Sequence, residues 1–143
     1  MSNQLLVSIL IPAYNAQKWI EETILSAINQ TWPSKEIIII DDGSTDETLN
    51  VIRNFESSKL KIIHQDNSGA CHARNRAFQV CQGDYIQWLD ADDILAPDKI
   101  ERQMNFLRIT KDPSIVCTGP WGRFYYRPNK TKFTPTPLWR SGK

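Results

Sequence analysis

The sequence predicts an α/β domain with a mostly parallel central sheet and helices on both faces. Apolar runs and helix-period segments alternate four times between Leu5 and Leu107, the pattern of strand–helix–strand crossovers. The apolar runs are also continuous rather than alternately polar. Glu36–Asp41 encloses four consecutive isoleucines, which suits a strand covered on both sides.

Each element follows in chain order. Leu5–Ile11 is a nearly unbroken apolar run closed by Pro12, and predicts a buried first strand. Ala16–Gln30 reads as a helix, because Ile20, Ile24, Ala27 and Ile28 recur at helical spacing, with Asn15 as N-cap. Thr31-Trp32-Pro33-Ser34 breaks it, and Glu36–Asp41 forms the second strand. Asp42-Gly43-Ser44-Thr45 turns into a helix over Asp46–Phe55 that shows Leu49, Ile52 and Phe55 on one side. Leu60–His64 is a third strand, and a loop over Gln65–Gly69 leads to a helix at Ala70–Cys81, with Gly83 as its C-terminal stop. Asp84–Asp90 is the fourth strand. Pro97 opens a further helix at its first turn, with Ile100, Met104 and Leu107 on one face. Ser114–Thr118 and Arg123–Arg127 read as two more strands.

A chain of 143 residues fits one domain of ordinary size and can bury a core without disulfides. A formal net charge of +1 argues against nucleic acid as a main partner. Three cysteines, Cys71, Cys81 and Cys117, show no paired zinc spacing. Cys81 and Cys117 read as small buried hydrophobes, and a reducing cytoplasm is the expected compartment. No signal-like N-terminus and no membrane-length apolar run is visible.

In parallel α/β sheets ligands bind outside the carboxyl ends of the strands. Those ends carry Pro12-Ala13-Tyr14-Asn15, Asp41-Asp42-Gly43-Ser44, His64-Gln65-Asp66-Asn67 and Asp90-Ala91-Asp92-Asp93. Clustered carboxylates repel one another unless a cation or hydrogen-bond donors compensate them. Asp90 and Asp92, separated by one residue, can supply the carboxylates that a hard divalent ion such as Mg²⁺ or Mn²⁺ takes alongside substrate phosphate. A lone D-x-D is common as turn and cap chemistry, and its place at a strand end is what favours a ligand site. Gly43 and Ser44 or Thr45 serve as bend and cap, which leaves two successive carboxylates unexplained. An aspartate there can accept a uracil N3–H or a ribose hydroxyl. Arg74 and Arg76 lie two apart on a helix, so one of them is expected to face the site. Arg74 is assigned to the base or diphosphate, and Arg76 to a solvated face. His64 and His72 read as ordinary polar residues. No dinucleotide fingerprint, phosphate loop or nucleophile elbow is present.

Four blocks, Val7–Asn15, Ile40–Asp46, Ala73–Ala77 and Leu89–Asp93, occur in order across residues 5 to 110. Together they resemble the family 2 glycosyltransferases of GT-A fold. The resemblance implies a Rossmann-like GT-A nucleotide-diphospho-sugar transferase fold, a nucleoside-diphosphate sugar donor with UDP favoured, an Mn²⁺ or Mg²⁺ cofactor, and transfer with inversion. Carried onto this chain, Pro12, Ala13 and Tyr14 line the nucleoside pocket beside Asp42, with Asp41 close by. Arg74 reaches the base or phosphates, Asp90 and Ala91 contact ribose or sugar, and Asp92 is the main metal ligand with Asp90 as second candidate.

The expected organisation is a nucleotide-sugar-binding domain over 1–112 and the start of an acceptor-side region over 113–143. An inverting transferase needs a general base for the acceptor hydroxyl, and no Asp or Glu follows Asp112. The base is therefore expected beyond residue 143. The tail is basic and aromatic, with Trp121, Phe124, Tyr125, Tyr126, Phe133 and Trp139. Truncation or a subunit contact would each explain it, and both predict self-association through this segment. Its charge also admits peripheral association with the inner face of a membrane. The acceptor, whether sugar, lipid or protein, is not legible. A non-catalytic sugar-nucleotide-binding module is the main alternative. A nucleotidyltransferase ranks lower, because Pro12–Ala16 has neither glycine nor a basic residue.

Overall fold

The computed structural model describes residues 5–110, 115–118, 121–123 and 132–134. Its main strands are β1 (Val7–Ala13), β2 (Lys35–Asp42), β3 (Leu60–Gln65) and β4 (Tyr85–Trp88). Between and after them run the helices α1 (Ile20–Ile28), α2 (Thr48–Arg53), α3 (Ala70–Val80) and α4 (Lys99–Thr110). The sheet has the order β3-β2-β1-β4, and every neighbouring pair is parallel. Two short strands, β5 (Trp121–Arg123) and β6 (Lys132–Thr134), form a separate antiparallel pair. The chain divides into two compact units, Met1–Asn105 and Phe106–Lys143, and the four-stranded sheet belongs to the first.

Side-chain alternation explains the layers. Leu10, Ile38 and Ile40 point to one face and pack with Ala73 and Ala77 of α3, whose small side chains at i, i+4 let the helix lie close. Ile63, Val80, Cys81 and Ile86 fringe this cluster. The intervening Ile9, Ile11, Ile37 and Ile39 face the other way and are at most 3% exposed. The buried residues of α1 (Ile20, Ile24, Ala27) and of α2 (Ile52) supply the cover for that side. Burial of each such isoleucine contributes about 1.5–3 kcal/mol. The α/β expectation, with a parallel sheet and helices on both faces, is met.

Several boundaries differ from those expected. β1 continues through Pro12 to Ala13, because β4 pairs with β1 only as far as Leu10↔Trp88. Beyond that point a residue without an N–H costs no ladder bond on the β4 side. Helix α1 begins at Ile20 rather than Ala16, and Asn15 is not its N-cap. Asn15 instead adopts φ 47° and its Oδ1 accepts the Thr45 N–H at 2.8 Å. Helix α3 ends at Val80, so Gly83 is not its stop. A β-carbon at Gly83 would lie 2.7 Å from the Ser8 backbone nitrogen, and the glycine is there for close approach to β1. Ile100, Met104 and Leu107 are all buried, as the pattern of α4 predicts. Residues 115–118 carry no regular structure, against the strand expected there, and Ser114 lies outside the described residues. Arg123 falls in β5, while 124–127 and most of the aromatic tail lie outside the described residues. Cys71 is exposed, and Cys81 and Cys117 are only half-buried, so neither of the latter is the fully buried hydrophobe expected. Among the described residues no helix is long and apolar enough to cross a membrane.

Candidate functional site

All four strands run the same way, so their carboxyl ends share one rim. The chain leaves β1 for β2 on one side and later enters β4 on the other, which makes β1/β4 the point where strand order reverses. The register sets Ala13, Asp41 and His64 in one row across three strands, and Asp42 beside Gln65 in the next. Successive residues of a strand face opposite sides. Asp41 therefore shares a face with Ile37 and Ile39, and Asp42 shares the α3 face with Ile38 and Ile40.

Asp41 is fully buried. Its Oδ2 lies 2.7 Å from His64 Nδ1 and accepts the Ser44 N–H at 3.4 Å. Its Oδ1 has no hydrogen-bond partner. An unsatisfied buried acceptor costs on the order of 1–3 kcal/mol, and among the described buried side chains this oxygen is the one left without a donor. His64, expected to be an ordinary polar residue, is half-exposed and fixes the other oxygen.

Asp42 is also buried, but its carboxylate is engaged. Oδ1 accepts Gln65 Nε2 at 2.7 Å and the Ser68 N–H at 2.9 Å, and Oδ2 accepts the Gly69 N–H at 2.8 Å. Burial pushes its pKa up, but the hydrogen bonds from Gln65, Ser68 and Gly69, with the charge of His72, outweigh that and hold it below the usual carboxylate range. Gly43, at φ 68°, makes the bend after β2, and a β-carbon there would sit 2.6 Å from the Asn67 nitrogen.

Helix α3 reaches the rim on both flanks. Arg74 Nη2 donates to Asp90 Oδ1 at 2.7 Å, and Arg76 Nη1 donates to Gln65 Oε1 at 3.2 Å. Residues two apart on a helix differ by about 200°, and a helix lying over the sheet sends them to β4 and β3 respectively. Arg76 is thus half-buried and bonded rather than solvated, contrary to the expectation that only one arginine would reach inward.

Past β4, Asp90–Asp93 form a turn in which Asp93 N–H donates to the Asp90 carbonyl at 3.0 Å. The Ala91 carbonyl accepts Thr23 Oγ1 at 3.0 Å, tying the turn to α1. Asp90, Asp92 and Asp93 are all exposed. The Asp93 pKa is raised, first by burial and then by the charges of Asp92 and Asp90. Among the described residues no three histidine, cysteine or carboxylate groups form a complete metal cage. The donor set still fits a hard divalent ion, which takes one or two carboxylates and fills its shell with water and phosphate. The mutual repulsion at Asp93 is what a cation would relieve.

The β1–α1 loop follows the carboxyl end of β1 and is tied to the β2–α2 loop. Pro12 is half-buried, Ala13 buried and Tyr14 exposed. Ser44 Oγ accepts the Asn15 N–H at 3.1 Å, Thr48 Oγ1 accepts the Ala16 N–H at 2.7 Å, and Gln17 Oε1 accepts the Glu47 N–H at 3.0 Å. Asp46 Oδ2 accepts the Gln17 N–H at 3.3 Å. Burial raises the Asp46 pKa, but bonds from Thr48 and Gln17 outweigh it and leave it lowered. His64, Gln65 and Arg76, read from the sequence as ordinary polar or solvated residues or left without a role, are bonded to the rim carboxylates or to one another. Register makes these pairings, and only the alternation of Asp41 and Asp42 hinted at them.

The glycosyl transferase family 2 model matches residues 8–141. The chain belongs to this family. Escherichia coli chondroitin synthase is 44% identical over 114 residues, covering 78% of this chain and 16% of that protein. The chain spans from 16% to 43% of the length of the leading curated relatives it matches. Among solved structures, Staphylococcus aureus TarS 1–349 with UDP-GlcNAc superposes at TM-score 0.70, with 28% identity over 73% of this chain and 32% of TarS. The mannosyltransferase PcManGT of Pyrobaculum calidifontis, with GDP-Man and Mn²⁺, gives TM-score 0.68 and 25% identity over 74% of this chain and 33% of that one. The family 2 chain thus has the GT-A fold of these transferases.

Proposed function

We propose that this chain is the donor-binding part of an inverting glycosyltransferase that takes a nucleoside-diphosphate sugar, with uridine as the favoured base. The observation that carries the reading is the buried Asp41 Oδ1 without a partner at the rim of the sheet. A base with an imide N–H, as in uracil, supplies the missing donor. Asp42, next to it at the end of β2, belongs to the same nucleoside pocket, and Pro12, Ala13 and Tyr14 form its β1 wall. Arg74, already charge-paired with Asp90, lies where a guanidinium can turn to a diphosphate. Asp90 and Ala91 are assigned to ribose or sugar, and Asp92, with Asp90, to a divalent Mn²⁺ or Mg²⁺.

When bound, such a cation neutralises charge developing on the departing diphosphate. The protein's own residues orient the donor: Asp41 fixes the base, and Arg74 draws the phosphates toward the β4 end. TarS with UDP-GlcNAc and PcManGT with GDP-Man and Mn²⁺ support the donor class and the metal by similarity. No residue among 1–143 is proposed as the general base for the acceptor hydroxyl. The acceptor is a sugar, lipid or protein hydroxyl. The domain division at 112/113, a cytoplasmic site at the inner membrane face and self-association through the aromatic tail belong to the same proposal.

The test is calorimetric titration with UDP, with and without Mn²⁺, of the chain and of Asp92→Ala. Metal-dependent binding that the substitution abolishes supports the donor site. A folded chain that binds no nucleoside diphosphate refutes it.

A further inference from the structure

The segment 89–98, between β4 and α4, contains no helix or strand, so its backbone N–H and C=O groups need partners from elsewhere. One face of α1 supplies several of them. Thr23, Ser26 and Gln30 stand at i, i+3 and i+7 of that helix, and Thr23 and Gln30 are at most 3% exposed. Thr23 Oγ1 donates to the Ala91 carbonyl at 3.0 Å, and Ser26 Oγ accepts the Leu95 N–H at 3.2 Å. Gln30 Nε2 donates to the Ala96 carbonyl at 2.7 Å, while its Oε1 accepts the Ile100 N–H at 3.2 Å. Just past the helix, the Thr31 N–H donates to the Pro97 carbonyl at 2.9 Å. Apolar side chains could bury this segment too. Buried polar groups cost free energy unless paired, and their pairing with main-chain atoms fixes the path of the chain, which apolar contact does not.

We propose that Thr23, Ser26 and Gln30 are positioning residues through which α1 fixes the Asp90–Asp93 turn for divalent-cation binding. The grip is closest at Ala91, whose neighbours Asp90 and Asp92 carry the exposed carboxylates. A hard divalent ion takes its oxygens at short, nearly fixed distances, so a turn free to shift binds it poorly. Residues that orient metal ligands from behind typically change metal affinity by about 10–100-fold. The inference rests on the donor and metal assignment above only where Mn²⁺ is read. Amide exchange reports the anchoring with no ligand present.

The experiment compares the chain with Thr23→Val, Thr23→Ser and Ser26→Ala. It measures UDP affinity with and without Mn²⁺, and amide hydrogen exchange at Leu95 in the absence of ligand. Thr23→Val deletes the donor to Ala91 at nearly constant shape. UDP affinity in Mn²⁺ is expected to fall about tenfold, with a change of under about twofold when metal is absent. Thr23→Ser keeps the hydroxyl and is expected to restore most of the loss. Ser26→Ala removes the acceptor of the Leu95 N–H, and exchange there should accelerate about tenfold. Ser26 is only half-buried, and Ser26→Ala carries both measurements if Thr23→Val fails to fold. Wild-type affinity in Mn²⁺ for every folded variant overturns the proposal. An equal loss with and without Mn²⁺ also overturns it, because it marks a general structural role. So does a Thr23→Ser variant as weak as Thr23→Val, since the hydroxyl is then not what acts. A wild-type chain that binds no UDP, or binds it equally without Mn²⁺, refutes the donor or metal assignment above. Leu95 exchange then decides the anchoring: acceleration in Ser26→Ala supports it, and an unchanged rate overturns it.

Discussion

Replacing Asp42 with alanine removes the acceptor for three short hydrogen bonds, from Gln65 Nε2, Ser68 N–H and Gly69 N–H at 2.7, 2.9 and 2.8 Å. A bond to a charged group contributes about 1.5–3 kcal/mol, though members of one network do not add. The loop around Ser68 is open to solvent, so water can take over some of its donors. The expected net loss is about 2–4 kcal/mol at neutral pH, or roughly 8–16 °C in Tm at ~4 °C per kcal/mol for a chain of this size. The loss should also depend on pH. The folded-state pKa of Asp42 lies below its unfolded value, so its contribution is fully present above the unfolded pKa near 4 and is lost as pH falls through the folded pKa. Urea unfolding of wild type and Asp42→Ala across the acid range measures both. A difference under about 1 kcal/mol at pH 7 refutes the reasoning. So does a difference that stays constant as Asp42 protonates, because it would then come from packing rather than charge-assisted bonds.

Gly43→Ala places a methyl group 2.6 Å from the Asn67 nitrogen in a backbone at φ 68°. It should destabilise the chain by about 2 kcal/mol or more in thermal unfolding, and wild-type stability would show that the two loops can separate freely. Asp92→Asn deletes one of the two charges that raise the Asp93 pKa. A carboxyl-carbon NMR titration should then find Asp93 ionising at lower pH than in wild type, and an unmoved or higher midpoint would contradict the clustering of these carboxylates.

The linear pattern carried the architecture because burial on two faces leaves an unmistakable trace. Four isoleucines in a row in β2, and apolar residues at helical spacing in α1 and α4, allow few other arrangements. The rim could be found for the same reason, since parallel strands must end together. Local ends were harder to read. Asn15 looks like a helix cap until the Thr45 amide claims its side chain, and Gly83 looks like a helix stop until Ser8 of β1 comes up against it.

The sequence by itself determined the parallel α/β sheet, the family and the set of polar residues brought to one edge. Tertiary structure decided their partners. Asp41 and Asp42 are chemically identical neighbours, yet alternation turns one toward His64 with an oxygen left free and the other toward α3 with its oxygens occupied. Arg74 and Arg76 are likewise two residues apart, and the seat of α3 over the sheet gives one to Asp90 and the other to Gln65. Composition and spacing carry no information on cross-strand register or on where a helix comes to rest. Those two quantities set which polar atoms the protein satisfies and which it does not.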